Sequence, residues 1–369
     1  MYYLGLMSGT SADAIDAAIL EIPASGLNYR LIGSHQEPLP PELRAAIHRF
    51  AVPASDELEH MGTLSVRLGR YFARAALAVL ARNKIAPSEI RAIGSHGQTI
   101  RHKPGGTEPY TVQIGEPAII VEETGITTVA QFRARDLAAG GEGAPLVPAF
   151  HRAVFQSSVA TRAIVNIGGI ANVTFLPKDA NARVTGFDTG PGNVLLDQWM
   201  NKHLDRPFDR NGDWARTGLA DPKLLTELLG DPYFLRRPPK STGREYFNLE
   251  WLTAALGSRS STAPEHVQAT LVQLTVESIA AALTQHEARP DEIFLCGGGA
   301  NNSFLAETLA ARLVPVPVRK TDTLGFPAQW VEAAAFAWLA HQTLEGLAGN
   351  IPSVTGARRA VVLGAIYKT

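Results

Sequence analysis

The chain has 369 residues, of which 45 % are hydrophobic and 19 % are charged, and its formal net charge is −1. This composition is typical of a globular protein, and the length favours two domains over a single core. The near-neutral charge gives no electrostatic support for binding nucleic acid or an anionic membrane surface. Cys296 is the only cysteine, which excludes an intrachain disulfide and a cysteine-rich zinc site.

The N-terminal residues lack the basic segment and the long apolar segment of a secretion signal. We find no apolar run of the roughly 18–20 residues that a membrane span needs. We therefore expect a cytoplasmic enzyme that does not enter a membrane.

The first predicted elements are a β-hairpin, a long helix and three further strands. The segments "YYLGLM" and "DAAILEI" are predicted to form the hairpin, with Ser8–Ser11 in its turn. Apolar residues three and four positions apart from Met61 to Ala75 indicate one face of a helix that ends at Asn83. Strands are then predicted in "EIRAIGSH", "TVQIG" and "GITTVA".

The second half begins after a glycine-rich segment that starts at Ala134, "ARDLAAGGEGAPLVP", which we interpret as a domain crossing. The segment "RAIVNIGGIANVTFL" (162–176) repeats the opening pattern of strand, small-residue turn and strand. A helix follows the capping-box pattern of Thr262 and Glu265, then a strand, turn and helix in "EIFLCGGGANNSFLAETLAARL", and an alanine-rich helix in "QWVEAAAFAWLAHQTL". The terminal "RAVVLGAIY" fits a strand or a helix.

Three small-residue turns follow apolar strands, at Ser8–Ser11, Gly168–Gly169 and Gly297–Gly299. Backbone N–H groups in such turns can bind phosphate, although each turn alone also fits an ordinary tight turn. The G-x-x-x-x-G-K-[ST] and G-x-G-x-x-G nucleotide fingerprints are absent from the sequence. Phosphate binding would therefore be of the hairpin type found in the actin, sugar-kinase and Hsp70 group of ATPases.

Asp188 lies in "TGFDTGPGNVLLDQW", at the predicted end of a short strand and before a helix. An aspartate in this position can cap a turn or helix. It can also act as a general base, which requires a carboxylate within hydrogen-bond reach of a nucleophile. The residues alone leave both roles open.

The ordered segments "GLMSGTSADAID", "GSHGQTIRH", "FRARDLAAGGEGAPLVP", "NIGGIANVT", "FDTGPGN", "PPKSTGRE" and "VTGA" resemble the anhydro-N-acetylmuramic acid kinases. The resemblance implies an α/β fold of two actin-like (ribonuclease H-like) lobes with ATP in the inter-domain cleft. One lobe would contain residues 1–134 and about 351–369, the other residues 135–350. It also implies phosphorylation of 1,6-anhydro-N-acetylmuramic acid with opening of its anhydro bridge by water, a step of peptidoglycan recycling, and a homodimer.

The resemblance assigns Asp188 as the catalytic base and Glu332 to the sugar site, although Glu332 also fits a first-turn glutamate of a helix. Asp13 or Asp16 would hold Mg²⁺ through water. Sugar contacts are implied for His96, Arg133, Asp136 and Arg244, with an arginine fork suited to the lactyl carboxylate. ATP contacts are implied for Gly9, Thr10, Ser11, Ala12, Asp13, Ala14, Ile15, Asp16, Gly168, Gly169, Gly297, Gly298, Gly299 and Asn301.

The chain departs from the usual family pattern at three positions. Ala14 replaces a glycine, which would be strained if this position had a positive φ. Gln131 replaces an aspartate, and Glu142 replaces a glutamine. Two alternatives to the family reaction stay open: a related kinase acting on another amino sugar or an acyl group, and a nucleotide-driven binding module of the Hsp70 type.

Overall fold

The computed structural model describes residues 1–9, 12–23, 28–51 without the side chain of residue 51, 54–238, 240–257 and 262–369. The chain divides into two compact units. Unit 1 contains Met1–Val154 and Trp330–Thr369, and unit 2 contains Phe155–Gln329.

Strands β1 to β13 are, in chain order, Tyr2–Met7, Ala14–Glu21, Arg30–Pro38, Ile90–Ser95, Gln98–Lys103, Tyr110–Ile114, Thr128–Ala130, Arg162–Ile167, Ile170–Leu176, Thr185–Pro191, Glu292–Cys296, Val318–Lys320 and Ala365–Tyr367. Helices α1 to α13 are Pro41–His48, Glu57–Asn83, Pro117–Thr124, Phe132–Ala138, Val147–Phe155, Val194–Leu204, Pro222–Leu229, Pro232–Leu235, Leu249–Leu256, Pro264–Gln285, Ser303–Arg312, Val331–Leu344 and Pro352–Thr355. The hairpins, the long helix and the strand–turn–helix segment lie where the sequence predicts them. The terminal apolar segment is a strand, β13.

Both units are built on a mixed sheet of the same order. In unit 1 the order is β13-β7-β4-β1-β2-β3, with β1, β4 and β7 parallel. In unit 2 it is β10-β9-β8-β11-β12, with β8, β11 and β12 parallel. A three-stranded antiparallel meander therefore continues into parallel strands in each unit. The repeated strand–turn–strand pattern of the sequence corresponds to this shared topology.

In unit 1, helix α12 packs directly on the backbone of β1 and β4. A Cβ atom added to Gly5 of β1 would lie 1.8 Å from the carbonyl oxygen of Ala333. A Cβ on Gly94 of β4 would lie 2.0 Å from the carbonyl oxygen of Phe336. Glycine in the strands and alanine in the helix together permit this close approach. The first turn of α12, which carries Glu332, is thereby fixed over the end of β1.

Helix α10 forms the core of unit 2. Among the described residues, it is the one helix that is long and apolar enough to cross a membrane, by length and composition only. Most of that apolar window is buried inside the fold, as in the core helix of a globular domain.

The capping box predicted at the start of α10 is wrong. Ala263 is the N-cap residue and makes no side-chain hydrogen bond, and Pro264 occupies the first turn.

The unit boundaries differ from those expected from the sequence. Helices α4 and α5, placed after the expected crossing at residue 134, belong to unit 1, and so does α12, which lies before residue 351. Buried Asp136 of α4 provides one reason, because its carboxylate accepts hydrogen bonds from Asn350 and Thr355. The glycine-rich segment is thus held within unit 1.

Candidate active site

The turn after β1 is tied to the turn after β4 by one glutamine. The Ser8 hydroxyl donates to Oε1 of Gln98 at 2.7 Å, and Nε2 of Gln98 donates to the carbonyl oxygen of Gly9 at 3.3 Å. The carboxyl ends of the neighbouring parallel strands β1 and β4 bring these turns together. Thr10 and Ser11, both predicted to contact ATP, lie outside the described residues.

The backbone conformation of this turn shows that Ala14 is not strained by a positive φ. Ala12 has a positive φ of 54° and is fully buried. Ala14 begins strand β2 and is not among the residues with positive φ, so its replacement of glycine causes no such strain. Ile15 is fully buried in the hydrophobic core, so it can contact ATP only through its backbone.

The two acidic residues of the hairpin differ in their surroundings. Asp13 is half-exposed and pairs with Arg44 at 2.5 Å. Asp16 accepts a hydrogen bond of 2.9 Å from Gln36. Burial raises the pKa of the Asp16 carboxyl to about 7; the Gln36 hydrogen bond opposes this increase, and the negative charge of Glu332 adds to it.

Asp16 and Glu332 therefore form a pair of interacting acids within unit 1. Two carboxylates that oppose each other's ionisation suit a hard cation, and Mg²⁺ takes oxygen ligands while it keeps several waters. Among the described residues there is no group of three or more histidine, cysteine, aspartate or glutamate side chains that could hold a metal. A magnesium ion here would thus depend on water, and Asp16 fits it better than Asp13, which Arg44 already neutralises.

His96 and Arg133 contact each other at the carboxyl end of β4. Arg133 donates through Nε and Nη2 to Nε2 of His96, at 3.2 and 2.9 Å, and through Nη1 to the carbonyl oxygen of Gly143 at 2.8 Å. The His96 ring also lies 4.7 Å from the ring of Phe336 of α12. These two predicted sugar contacts therefore lie on the same side of the sheet as the helix that carries Glu332.

Asp136, another predicted sugar contact, is enclosed by protein. It is fully buried, and its Oδ2 accepts from the backbone N–H of Gly143 at 2.7 Å. Its Oδ1 accepts from Asn350 at 2.6 Å and Thr355 at 2.8 Å. With both oxygens bonded inside unit 1, Asp136 holds the 140–143 loop in place and does not reach a ligand in this conformation.

In unit 2, four predicted glycines, Gly168, Gly169, Gly297 and Gly299, meet at one edge of the sheet. The carbonyl oxygens of Gly168 and Gly169 accept from the backbone N–H groups of residues 192–194, at 2.8 to 3.0 Å. A Cβ on Gly299 would lie 2.3 Å from the side chain of Ile167, and one on Gly297 would lie 2.4 Å from Asn166 Oδ1. These glycines allow close backbone approach. Asn301, in the short helix Gly298–Asn301, accepts a hydrogen bond from Lys320 at 3.2 Å.

The sequence predicts that Asp188 ends a short strand. Asp188 lies instead inside strand β10, which continues to Pro191. Asp188 pairs with Asn172 and Gly190 with Ala171, so Thr189 is an extra residue in a β-bulge. A bulge bends the strand and redirects the side chains beside it. Asp188 is the residue that precedes this irregularity.

The segment 240–242 holds Asp188 from the other side. The Asp188 N–H donates to the carbonyl oxygen of Lys240 at 3.1 Å, and the Thr242 N–H donates to Asp188 Oδ2 at 3.1 Å. Tyr233 donates its hydroxyl to the Asp188 carbonyl at 2.8 Å. The Asp188 backbone and carboxylate are therefore both fixed by "PPKSTGRE" and by α8.

Lys240, Thr242 and Tyr233 were not identified from the sequence as site residues. Lys240 is buried, and its ammonium lies 4.7 Å from the ring of Tyr233. Burial lowers the pKa of Lys240, Arg236 lowers it further, and the charge of Asp188 opposes the change. Lys240 and Thr242 lie in the motif "PPKSTGRE", which could have identified them, but the sequence analysis selected only Arg244 from it. Burial also lowers the pKa of Arg244.

The structure thus groups the predicted residues by unit. Unit 1 brings together the β1–β2 turn, Asp16, Glu332 and the His96–Arg133 pair, while Asp136 is occupied inside the fold. Unit 2 brings Asp188 next to "PPKSTGRE" and collects the glycine turns at its sheet edge. Each unit therefore carries one small-residue turn after its first strand. Each also carries one acid that the sequence predicts to act on the substrate, Glu332 in unit 1 and Asp188 in unit 2.

A family model described as "AnmK: Anhydro-N-acetylmuramic acid kinase" matches residues 1–369. A protein of that name from Coxiella burnetii is 48 % identical over 365 residues, which cover 99 % of this chain and 97 % of the relative. One from Pseudomonas fluorescens is 47 % identical over 365 residues, covering 99 % of each. Among solved structures, the (R)-2-hydroxyglutaryl-CoA dehydratase component A of Acidaminococcus fermentans is similar with a TM-score of 0.48 and 11 % identity, covering 91 % of this chain and 95 % of that one. The last likeness is distant.

Proposed function

Because this chain belongs to the anhydro-N-acetylmuramic acid kinase family, we propose that it converts 1,6-anhydro-N-acetylmuramic acid, ATP and water into N-acetylmuramic acid 6-phosphate and ADP. The chain is accordingly a phosphotransferase of amino-sugar metabolism, in peptidoglycan recycling. Its residues at the family's motifs support this assignment over the Hsp70-type module, for which a fixed base beside a glycine-rich turn would have no task.

Two bonds change at the sugar. Water adds to the anomeric carbon, and the bond from that carbon to the bridging 6-oxygen breaks, as in an inverting glycosidase. The 6-oxygen takes the γ-phosphoryl group of ATP, so no acid is needed to protonate it as a leaving group. The proton lost by water goes to a carboxylate and then to solvent. A single general base therefore suffices.

The hydrogen bonds that hold Asp188 in one geometry are the observation that carries this proposal. Its carboxylate is oriented by the N–H of Thr242, and its backbone by Lys240 and Tyr233. A general base must be held in one geometry to remove a proton from a bound water. Buried Lys240 interacts with the Asp188 charge and thereby favours the ionised form that a base requires.

The phosphoryl half of the reaction is mainly positioning and charge neutralisation. We assign the γ-phosphate to the turn after β1, which Gln98 holds, and further phosphate contacts to the glycine turns of unit 2. Mg²⁺ would be held through water by Asp16 and would neutralise charge on the phosphates. Glu332 is assigned to the sugar hydroxyls, and Arg133 or Arg244 to the lactyl carboxylate. Dimerisation stays a prediction.

The decisive experiment is mass spectrometry of the product formed from ATP and the anhydro sugar in ¹⁸O-labelled water. One ¹⁸O in the anomeric hydroxyl, with phosphate on the 6-oxygen, is expected. Label in the phosphate, or a phosphorylated sugar that keeps its anhydro bridge, would contradict the proposed reaction. ADP release that does not depend on the sugar would instead support the nucleotide-driven module.

A further inference from the structure

Strand β10, which contains Asp188, lies at the edge of the sheet of unit 2. An edge strand leaves the backbone groups on its outer side without a partner strand. At Asp188 two residues outside the sheet supply the partners. The Asp188 N–H donates to the carbonyl oxygen of Lys240 at 3.1 Å, and the Asp188 carbonyl accepts from the Tyr233 hydroxyl at 2.8 Å. The backbone of the proposed base is therefore held from outside the sheet.

Tyr233 and Lys240 also contact each other. The Lys240 ammonium donates to the Tyr233 carbonyl oxygen at 3.4 Å and lies 4.7 Å from the centre of the Tyr233 ring. Both residues are buried. Together with Asp188 they form a closed ring of contacts, so whatever fixes Tyr233 also fixes the backbone of Asp188.

Asp231 fixes Tyr233. It is the N-cap residue of α8, and its Oδ1 accepts from the Tyr233 N–H at 2.8 Å. The same Oδ1 accepts from the Tyr246 hydroxyl at 2.8 Å, and Oδ2 accepts from the Trp251 indole N–H at 2.9 Å. Hydrogen bonds to an ionised carboxylate are stronger than those to a neutral acceptor. Because α8 has only four residues, its direction depends on this carboxylate more than on its own backbone bonds.

Aromatic packing supports α8 from the same side. The ring of fully buried Phe247 lies 5.4 Å from that of Tyr233 and 5.0 Å from that of Trp251, with both pairs close to perpendicular. Phe234 of α8 packs on the bulge of β10, where a Cβ added to Gly190 would lie 2.7 Å from its ring. A shift of α8 would therefore be transmitted to the bulge.

A second N-cap aspartate shows what capping alone requires. Asp221 also precedes a proline, at the start of α7, and its carboxylate accepts from the backbone N–H groups of Lys223 and Leu224. Asp231 accepts from a backbone N–H in the same way and in addition from two aromatic side chains. These two bonds connect α8 to the segment that follows "PPKSTGRE" and go beyond the needs of a helix end.

We propose that Asp231 is a positioning residue for the cleavage of the anhydro bridge: through Tyr233 it holds the backbone of Asp188, so that the Asp188 carboxylate stays in the geometry of a general base. The inference rests on the proposed function and adds to it a residue that acts through another residue. Proton transfer requires the base within hydrogen-bond reach of the water. A small displacement of α8 should therefore lower kcat while the affinity for ATP is unchanged.

The test compares wild type with Asp231→Ala and Asp231→Asn in sugar-dependent ADP release. The alanine variant loses all three hydrogen bonds, and its kcat should fall about 10-fold because the base is misplaced. Asparagine keeps an oxygen that can accept from the Tyr233 N–H, so it should recover most of the rate. The KM for ATP should stay at the wild-type value. Calorimetric titration with a non-hydrolysable ATP analogue should give the wild-type number of binding sites, which shows that the lower kcat is not a loss of folded protein.

Asp221→Ala is the matched control, because it removes an N-cap of the same kind from α7. Both alanine variants should lower the urea midpoint of unfolding by the loss of a cap. The kcat of Asp221→Ala should equal that of wild type. If Asp221→Ala lowered kcat as much as Asp231→Ala does, the effect would be a general loss of stability and the inference would be overturned.

Tyr233→Phe tests the route from Asp231 to Asp188, since it removes the hydroxyl and keeps the ring. If Asp231 acts through Tyr233, combining Asp231→Ala with Tyr233→Phe should give the kcat of the slower single variant. Two losses that multiply would show independent effects and refute the proposed route. Wild type that releases no ADP in response to the sugar would overturn the proposed function, and this inference with it.

Discussion

The backbone N–H of Thr242 donates a hydrogen bond of 3.1 Å to Oδ2 of Asp188, which precedes it by 54 residues. The side-chain hydroxyl of Thr242 is buried and makes no hydrogen bond within the described ranges. A backbone donor thus orients one carboxylate oxygen, and the same residue carries a hydroxyl with unused bonding capacity. This arrangement suits a carboxylate that must hold and deprotonate a water.

Replacing Asp188 by asparagine should stop sugar cleavage while it preserves nucleotide binding. The amide keeps the size of the carboxylate and can still accept from Thr242, but it cannot take a proton. Loss of a general base typically costs about 10²- to 10⁴-fold in rate. Sugar-dependent ADP release measures kcat, and calorimetric titration with a non-hydrolysable ATP analogue measures nucleotide affinity. Turnover within a few-fold of wild type would refute the assignment of Asp188 as base.

Thr242→Val removes the unpartnered hydroxyl and retains the backbone donor. If this hydroxyl helps to hold the attacking water, kcat should fall by roughly 5- to 10-fold, the loss of about one hydrogen bond. Thr242→Ser is the matched variant and should recover most of the rate. Equal kcat values for the valine and serine variants would show that the hydroxyl has no part in the reaction.

Gly5→Ala tests the close packing of α12 on β1. The added methyl group would lie 1.8 Å from the Ala333 carbonyl and 2.6 Å from the Ala337 nitrogen, so the helix must move. We expect a loss of about 3 kcal/mol or more in the free energy of unfolding, together with displaced Glu332 and reduced activity. Gly62→Ala is the control, because Gly62 is exposed in α2 and nothing lies near its added methyl group. That substitution should stabilise the protein by about 1 kcal/mol, and urea unfolding compares the two.

The sequence predicted those features that depend on local patterns. Alternating apolar residues located the hairpins, and three- and four-residue spacing located α2 up to its end at Asn83. The recurrence of strand, turn and strand at 162–176 indicated a second domain that opens with a β-hairpin, and β8 and β9 form that hairpin. Such patterns report which residues face a core, and this information is present in the chain itself.

The features that the sequence did not show depend on contacts between distant residues. The bulge that extends β10 past Asp188 requires the register with β9, and no local pattern specifies this register. Asp136 resembled a ligand-binding acid, but its partners Asn350 and Thr355 come more than two hundred residues later. Tyr233 and Lys240 became visible only when the fold placed them around Asp188. Long-range pairing therefore decides between a functional and a structural role for the same residue type.

The last prediction concerns His151, which is fully buried in α5. Burial lowers its pKa from 6.5 to about 3. In the unfolded chain this imidazole protonates as the pH falls below 6.5, whereas in the folded chain it stays neutral until about pH 3. The unfolded state therefore binds more protons in this window, and His151 makes stability fall on acidification between these values.

His151→Gln removes this titration and should reduce the acid dependence of stability. The free energy of unfolding of wild type should lose up to about 1.4 kcal/mol more per pH unit than that of the variant between pH 6 and pH 4. Urea unfolding at several pH values measures both curves, and their difference above pH 7, where the imidazole is neutral in both states, gives the constant effect of the substitution on packing. Parallel curves across the whole range would mean that His151 protonates without unfolding, as it would if unit 1 opened locally around α5 in acid.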